Sequence, residues 1–363
     1  MKTFNCLTLL CLSAVLFSCK KEADSRIKNN GIASTVGTLA ASMPKTYKQT
    51  SNFTVSNNLG FYAGDFNGDG HTDVFQPYNN NGLLGIYVHN LASPGQPTSI
   101  CNQTTNLDDA GAVSIGFVAG DYDGDGRADL IQCWNANNNM ALNVLRSTGT
   151  GFVKTWEAVM PTTANSAGLF PVDINRDGKT DIAQILGDNN NLRIIVYRST
   201  GTGYELFSDF TQVNNGISAV GFFVTDFEND GISEIVQCWN DGGRLGYIIH
   251  HFESGHYIEY FRGRTTQGAG NTGLIPVRGN ISNAPQFVQA WNDNGSTSFF
   301  IYTSVWSPNT PSGYDYSLPI GFTSGEGAGN LAWLSVKHAG ETGALQVWND
   351  NGRTAFIIYT PRE

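Results

Sequence analysis

Charged side chains make up only 14% of this 363-residue chain, and cysteine is limited to six. No Gly-x-Ser-x-Gly, His-Glu-x-x-His or glycine-rich phosphate loop occurs. The sequence therefore offers no serine-hydrolase elbow, zinc-protease helix or nucleotide cradle. Beyond residue 19 the cysteines are Cys101, Cys133 and Cys238, an odd count that does not suit a disulfide-built scaffold. They read as small buried residues. Basic residues are too few to offset the acidic ones, and the formal charge of −10 argues against nucleic acid, whose phosphates need a basic face.

What the chain has in quantity is glycine, with 42 residues, and aromatics, at 12%. That balance suits many short strands joined by tight turns. Among them one nine-residue stretch returns four times, beginning at Asp65, Asp121, Asp173 and Asp226. Its first copy sets Asp65, Asn67, Asp69 and Asp73 at positions one, three, five and nine, with glycine at six. The second supplies Asp121, Asp123, Asp125 and Asp129; the third, Asp173, Asn175, Asp177 and Asp181. The fourth departs from the pattern with Asp226, Glu228, Asp230 and Glu234. Alternate oxygen-bearing side chains in a tight loop are what Ca²⁺ needs, since it takes about 6–8 oxygen ligands. The backbone carbonyls of His71, Arg127, Lys179 and Ile232, at position seven, would add one more each.

A helix–loop–helix calcium hand is excluded. Its loop closes with a bidentate Glu at position twelve, where this chain has Gln76, Gln132, Gln184 and Gln237. The flanks GFYAG and TDVFQ read as strands, so each loop joins two strands. Fourteen of the 31 carboxylates lie in the four loops. The acidity thus points to bound cations and not to a basic partner.

Residues 1–19, MKTFNCLTLLCLSAVLFSC, carry one lysine, a short apolar run and then Leu16-Phe17-Ser18-Cys19. This resembles a bacterial lipoprotein signal, which implies cleavage before Cys19 and lipidation of its thiol. The run is shorter than a membrane-spanning helix of about 20 residues. The expectation is export across the inner membrane and a lipid anchor on the cell envelope, at the outer membrane, with no other membrane contact. An ordinary signal peptide is the alternative. Residues 20–45 lack aromatics and periodicity and read as a flexible tether.

From residue 46 to 363 the chain is repetitive. Gln76, Gln132, Gln184, Gln237, Gln289 and Gln346 follow one another at intervals of 56, 52, 53, 52 and 57 residues. After each comes a turn-rich stretch, an apolar strand, and in most copies a further variable strand. Four strands in just over 50 residues is the size of a propeller blade. The expected fold is an all-β, six-bladed β-propeller of four-stranded blades. The sixth copy stops before its fourth strand, so the segment from Tyr47 to Val55 is expected to supply it and close the ring.

These repeats resemble FG-GAP/VCBS repeats, the blades of integrin-α-type propellers, through their D-x-[DN]-x-D-G-x-x-D loops. The resemblance implies fold, calcium and an extracellular setting, but no activity. Three loops meet the pattern and the fourth is partial. The matching slots of blades five and six hold Arg278 with Asn280 and Ser335 with Lys337, where the cations would repel Ca²⁺. Three calcium sites are therefore expected, with blade four departing from them and the last two blades without metal.

The loops read as structural. Recognition is expected on the opposite face, where Trp134, Trp239, Trp291 and Trp348, with Tyr78 in blade one, form a ring. Beside them stand Asn135, Asn240, Asn292, Asn349, Asp241, Asp293, Asp350, Arg244 and Arg353. Aromatic planes beside amides and carboxylates suit sugars, and the arginines suit an acidic sugar or a protein carboxylate. The competing reading is that Asn-Gly pairs build hairpin turns and the tryptophans pack blade on blade. The repeated Gln reads as an inter-blade hydrogen-bonding residue. His71 is incidental, His89 and His250 replace tyrosines of other blades, and His251, His256 and His338 have no partner visible in the sequence. The expected function is a non-catalytic, calcium-stabilised surface module that binds a glycan or an extracellular protein. A propeller lyase or hydrolase acting on polysaccharide, with acids and bases in its central channel, is the alternative.

Overall fold

The computed structural model describes residues 45–360 except 55, 93–97, 109–113, 214–218, 279–284, 307–313, 317–319, 328 and 339. The signal segment, Cys19, the tether up to residue 44, Val55 and Asn280 lie outside the described residues. Strand β1 (Lys45–Thr54) begins one residue before the expected start of the propeller.

Blade one runs β2 (Tyr62–Gly64), β3 (Asp73–Asn80), β4 (Leu83–Asn90) and β5 (Thr98–Asp108). Blade two follows with β6 (Ser114–Gly120), β7 (Asp129–Ala136), β8 (Asn139–Ser147) and β9 (Phe152–Thr163). Blade three has β10 (Gly168–Val172), β11 (Asp181–Asp188), β12 (Asn191–Ser199) and β13 (Tyr204–Gln212). Blade four has β14 (Gly221–Thr225), β15 (Glu234–Asp241), β16 (Arg244–Glu253) and β17 (His256–Gly268). Blade five has β18 (Gly273–Arg278), β19 (Pro285–Asp293), β20 (Ser296–Trp306), β21 (Tyr314–Tyr316) and β22 (Ile320–Gly327). Blade six has β23 (Ala332–His338), β24 (Glu341–Asp350) and β25 (Arg353–Tyr359), and β1 is its outermost strand.

Each blade is an antiparallel sheet. The six innermost strands lie against one another in order, and β23 returns to β2. The architecture is a closed, six-bladed, all-β propeller. Closure runs through β1, whose Thr50 pairs with Ala355 of β25. Blade five departs from the four-strand pattern. Its third strand is 11 residues long. The end of that strand pairs with β21, while β22 pairs with its beginning and fills the usual fourth place.

The hairpin between the second and third strands has the same geometry in every blade. Both central residues have positive φ: Asn81-Gly82, Asn137-Asn138, Asn189-Asn190, Gly242-Gly243, Asn294-Gly295 and Asn351-Gly352. This is the turn whose twist matches that of the flanking strands, and only Asn, Asp and Gly adopt it readily. The turn-rich stretches of the sequence are therefore backbone devices first.

The core lies between blades. Ile131 and Leu142 of blade two cluster with Ile182 and Tyr197 of blade three, and Val74 of blade one with Leu345 and Phe356 of blade six. Second and third strands are covered on both sides, which is why they read as continuous apolar runs. The repeated glutamines, buried throughout, connect blades as expected. Gln184 Nε2 donates to the carbonyls of Thr163 and Asn165, both before blade three, at 2.9 and 2.6 Å. Gln289 Nε2 reaches Gly268 of blade four at 2.9 Å, and Gln346 Nε2 reaches Gly327 of blade five at 3.1 Å. The other end of each carboxamide faces its own blade. Tyr197, Tyr302 and Tyr359 donate to the Oε1 atoms of Gln184, Gln289 and Gln346. His89 Nε2 meets Gln76 at 2.9 Å and His250 Nε2 meets Gln237 at 3.1 Å. Cys101, Cys133 and Cys238 are free and buried.

Candidate functional site: acidic loops and the opposite face

Each acidic loop joins the first and second strands of its blade, so all four lie at one end of the ring. The glycine at position six has positive φ in every copy: Gly70, Gly126, Gly178 and Gly231. The first aspartate organises the turn. Asp65 Oδ1 accepts from the amides of Gly68 and Asp69 at 2.7 and 3.1 Å, and its Oδ2 from Gly70 at 2.8 Å. Asp121 repeats the pattern with Gly124, Asp125 and Gly126, and Asp173 accepts from Asn175, Arg176 and Gly178. Neighbouring loops interlock: the amides of Ala128, Thr180 and Ser233 donate to the carbonyls of Asp65, Asp121 and Asp173 in the preceding loops.

The ninth-position carboxylates are completely buried. Burial pushes Asp73 up to about 8, Asp129 to about 7 and Asp181 to about 6, with the other loop carboxylates adding to the rise. In loops two and three, one oxygen accepts from Ser147 N and Ser199 N respectively, both at 2.7 Å. In loop one, Asp73 Oδ2 accepts from Phe66 N at 3.1 Å, but the buried Oδ1 has no hydrogen-bond partner. A buried, unpaired carboxylate oxygen is costly. The like charges of Asp69 and Asp65 act on the same carboxylate, an environment that fits a hard cation. In loop two the carboxylate oxygens of Asp121, Asp123 and Asp129 lie within 4.8 Å of one another. Asp65, Asn67, Asp69 and Asp73, and their equivalents in loops two and three, would hold Ca²⁺, which would supply the missing charge. At position seven, the Arg127 guanidinium pairs with Asp125, and Lys179 Nζ lies 2.7 Å from Asp177. His71 and Ile232 contribute their amides, which donate to Asp69 and Asp230 at 2.9 and 2.8 Å.

Loop four differs. Its Asp226 carboxylate lies 3.6 Å from Arg278 of blade five, and Asp230 lies 2.8 Å from Arg176 of blade three. The cation expected to repel metal in blade five thus serves loop four. Its Glu228 and Glu234 face a third group, His251, whose partners the sequence does not make visible. His251 Nδ1 lies 3.3 Å from Glu234 and 3.5 Å from Glu228. His256 stacks on Phe210 at 4.0 Å, and His338 meets Tyr47 edge-on at 5.3 Å. Sequence proximity could not show these pairs, because each joins different strands.

On the opposite face the asparagines are occupied by their turns. The amides of Asn138, Gly243, Gly295 and Gly352 donate to the Oδ1 atoms of Asn135, Asn240, Asn292 and Asn349. The tryptophans are half-buried and lie over small residues of the third strand. Trp239 stands opposite Gly246, Trp134 opposite Ala141, and Trp348 opposite Ala355. In blade one Tyr78 lies opposite Gly85. Trp291 stacks on Phe300 at 4.1 Å, and Arg262 lies 5.4 Å from the centre of the Trp239 ring. Asp241 pairs with Arg264 at 3.2 Å, Asp293 accepts from Ser298 at 3.3 Å, and Asp350 accepts from Thr50 at 2.7 Å. Arg244 and Arg353 are exposed. Trp348 lines a cavity of about 250 Å³ with Lys48, Glu326, Gln346 and Asn349. The ring axis holds a cavity of about 320 Å³ whose walls take one apolar residue from each blade: Tyr62, Phe117, Leu169, Phe222, Leu274 and Trp333.

A family model described as an FG-GAP-like repeat matches residues 121–183, from the second acidic loop to the strand after the third. No curated protein matches the sequence. Among solved structures, the exotype rhamnogalacturonan lyase YesX has a TM-score of 0.43 at 12% identity, covering 88% of this chain and 75% of its own. A Bacillus licheniformis rhamnogalacturonan lyase has a TM-score of 0.36 at 11% identity, with 86% and 75% covered. The Dos1 propeller has a TM-score of 0.41 at 10% identity, with 79% and 65% covered. The acidic loops interlock and the ring of blades closes: the chain is a six-bladed β-propeller that carries an FG-GAP-like repeat over residues 121–183.

Proposed function

We propose that this propeller is a calcium-stabilised, non-catalytic binding module of the bacterial cell envelope, recognising a glycan or an extracellular protein by the face opposite its acidic loops. The observation that carries this reading is the cavity at Trp348. An aromatic wall there meets an ammonium (Lys48), a carboxylate (Glu326) and an amide (Asn349). A sugar presents an apolar C–H face to such a ring and hydroxyls to such edges. The same reading includes three calcium sites in loops one to three, and lipidation of Cys19 as the only membrane attachment.

The test is a glycan-array screen of the full chain, with and without Ca²⁺, alongside Trp348→Ala. Binding that is lost in Trp348→Ala, with the melting temperature unchanged, is the expected result. Equal binding by both proteins would refute this face as the site, and a blank array with capture of an envelope protein would favour the protein partner. Incorporation of a labelled fatty acid into the chain, but not into Cys19→Ala, tests the anchor.

A further inference from the structure

Blade four differs from its neighbours at three positions at once. Position three of its loop is Glu228 where the first three copies have Asn67, Asp123 and Asn175. Position nine is Glu234 where they have Asp73, Asp129 and Asp181. Seventeen residues further on, blade four has His251 where the others have Asn90, Arg146 and Arg198. These substitutions converge in space: one donor atom from each of the three lies within 4.8 Å of the other two. Glu234 is fully buried, and Phe227 N holds its Oε2 at 2.6 Å, leaving Oε1 toward His251 Nδ1. Glu228 is held in turn by a hydrogen bond with Tyr260, whose ring centre lies 5.2 Å from that of His251.

Meanwhile the first and fifth positions of loop four meet cations from the neighbouring blades. Beyond the turn amides that every loop directs at its first aspartate, Asp226 lies 3.6 Å from Arg278 of blade five, and Asp230 lies 2.8 Å from Arg176 of blade three. What remains is one imidazole nitrogen and two carboxylates. Ca²⁺ prefers an all-oxygen shell of about 6–8 ligands. One nitrogen and two oxygens, with space for water, suit a four-coordinate divalent transition metal such as zinc. The Tyr260 contact supplies the outer-shell support that orients such a ligand.

We propose that blade four binds a divalent transition-metal ion of zinc type through Glu228, Glu234 and His251 Nδ1, in place of the calcium held by the loops before it. The extra methylene of each Glu carries the carboxylate toward the imidazole, and the site is independent of the ligand-binding face.

The test uses the untagged full chain, stripped by chelator and then returned to millimolar Ca²⁺. Zn²⁺ is titrated against a chromophoric chelator, and Co²⁺ is added separately to read visible absorption. One Zn²⁺ equivalent that Ca²⁺ does not displace is expected. His251→Ala and Glu228→Gln should each weaken it at least about 100-fold and abolish the cobalt absorption, with His256→Ala unchanged. Circular dichroism in chelator verifies that the variants fold. No zinc uptake, displacement by millimolar Ca²⁺, or equal uptake by wild type and His251→Ala would each overturn the proposal, leaving His251 as an ion-pair partner only.

Discussion

The carboxamide nitrogen of Gln76 donates to the carbonyl oxygen of Thr54 at 3.0 Å, although Gln76 stands in the first blade and Thr54 ends the last. On its other side Gln76 Oε1 accepts from Thr354 at 3.0 Å. One side chain thus ties blade one to both outer strands of blade six. The bond from Nε2 to the preceding blade recurs at Gln184, Gln289 and Gln346, so the repeated glutamine is the fastener between consecutive blades.

Replacing Gln184 with leucine keeps the volume and leaves buried partners unpaired, the carbonyl of Thr163 among them. Unsatisfied buried groups cost about 1–3 kcal/mol each. Gln184→Leu should therefore lose about 2–4 kcal/mol in urea unfolding. A loss below about 0.5 kcal/mol would mean that the fastener contributes little.

Asp73 gives a prediction whose sign depends on metal. Its buried Oδ1 lacks a partner, so in chelator Asp73→Asn should be as stable as wild type or more so. With Ca²⁺ the order should reverse, because the variant forfeits a charged ligand. Thermal melts of both proteins, with and without excess Ca²⁺, check this. If wild type is the more stable in chelator as well, Asp73 is paired by something other than metal.

The two buried histidines set an acid limit. Burial drives the His89 and His250 imidazoles down to about 3 from an ordinary value near 6.5. The unfolded chain then binds protons that the folded one refuses, so their contribution is full above about pH 6.5 and declines as pH falls toward 3. His89→Tyr, which places the hydroxyl of the other blades opposite Gln76, should lessen this loss. The difference in melting temperature between variant and wild type should grow from pH 7 to pH 4. A difference independent of pH would contradict the assignment.

Removing residues 45–54 should leave β25 as an open edge. Such edges pair with other chains, so the truncated protein should elute as oligomers or aggregate in size-exclusion chromatography. A soluble monomer would show that β1 is dispensable for closure.

Much of this was legible in the sequence because a repeat supplies its own alignment. The glutamine interval gave the blade count, and the unfinished sixth copy gave the closing role of Tyr47 and its neighbours. The Asp-x-Asn/Asp-x-Asp-Gly spacing placed the loops between first and second strands. What the spacing hid was lateral. Arg278 serves Asp226 across a blade boundary, and His251 reaches Glu234 from the adjacent strand of the same blade. Neither relationship has a fixed sequence offset within one loop. The signal for His251 was present only as a departure from Arg146 and Arg198 at the equivalent place. The Asn ring was legible in position but not in role, since turn geometry accounts for the Oδ1 atoms of Asn240, Asn292 and Asn349.

The pairing of Thr50 with Ala355 also sets a schedule for biosynthesis. Within the ring, the strand made first must wait for the one made last, so the nascent propeller carries two raw borders until β25 has been synthesised. Such long-range topology folds slowly and stays exposed to association meanwhile. For this propeller, protection by a holding chaperone matters most in the interval before β25 arrives.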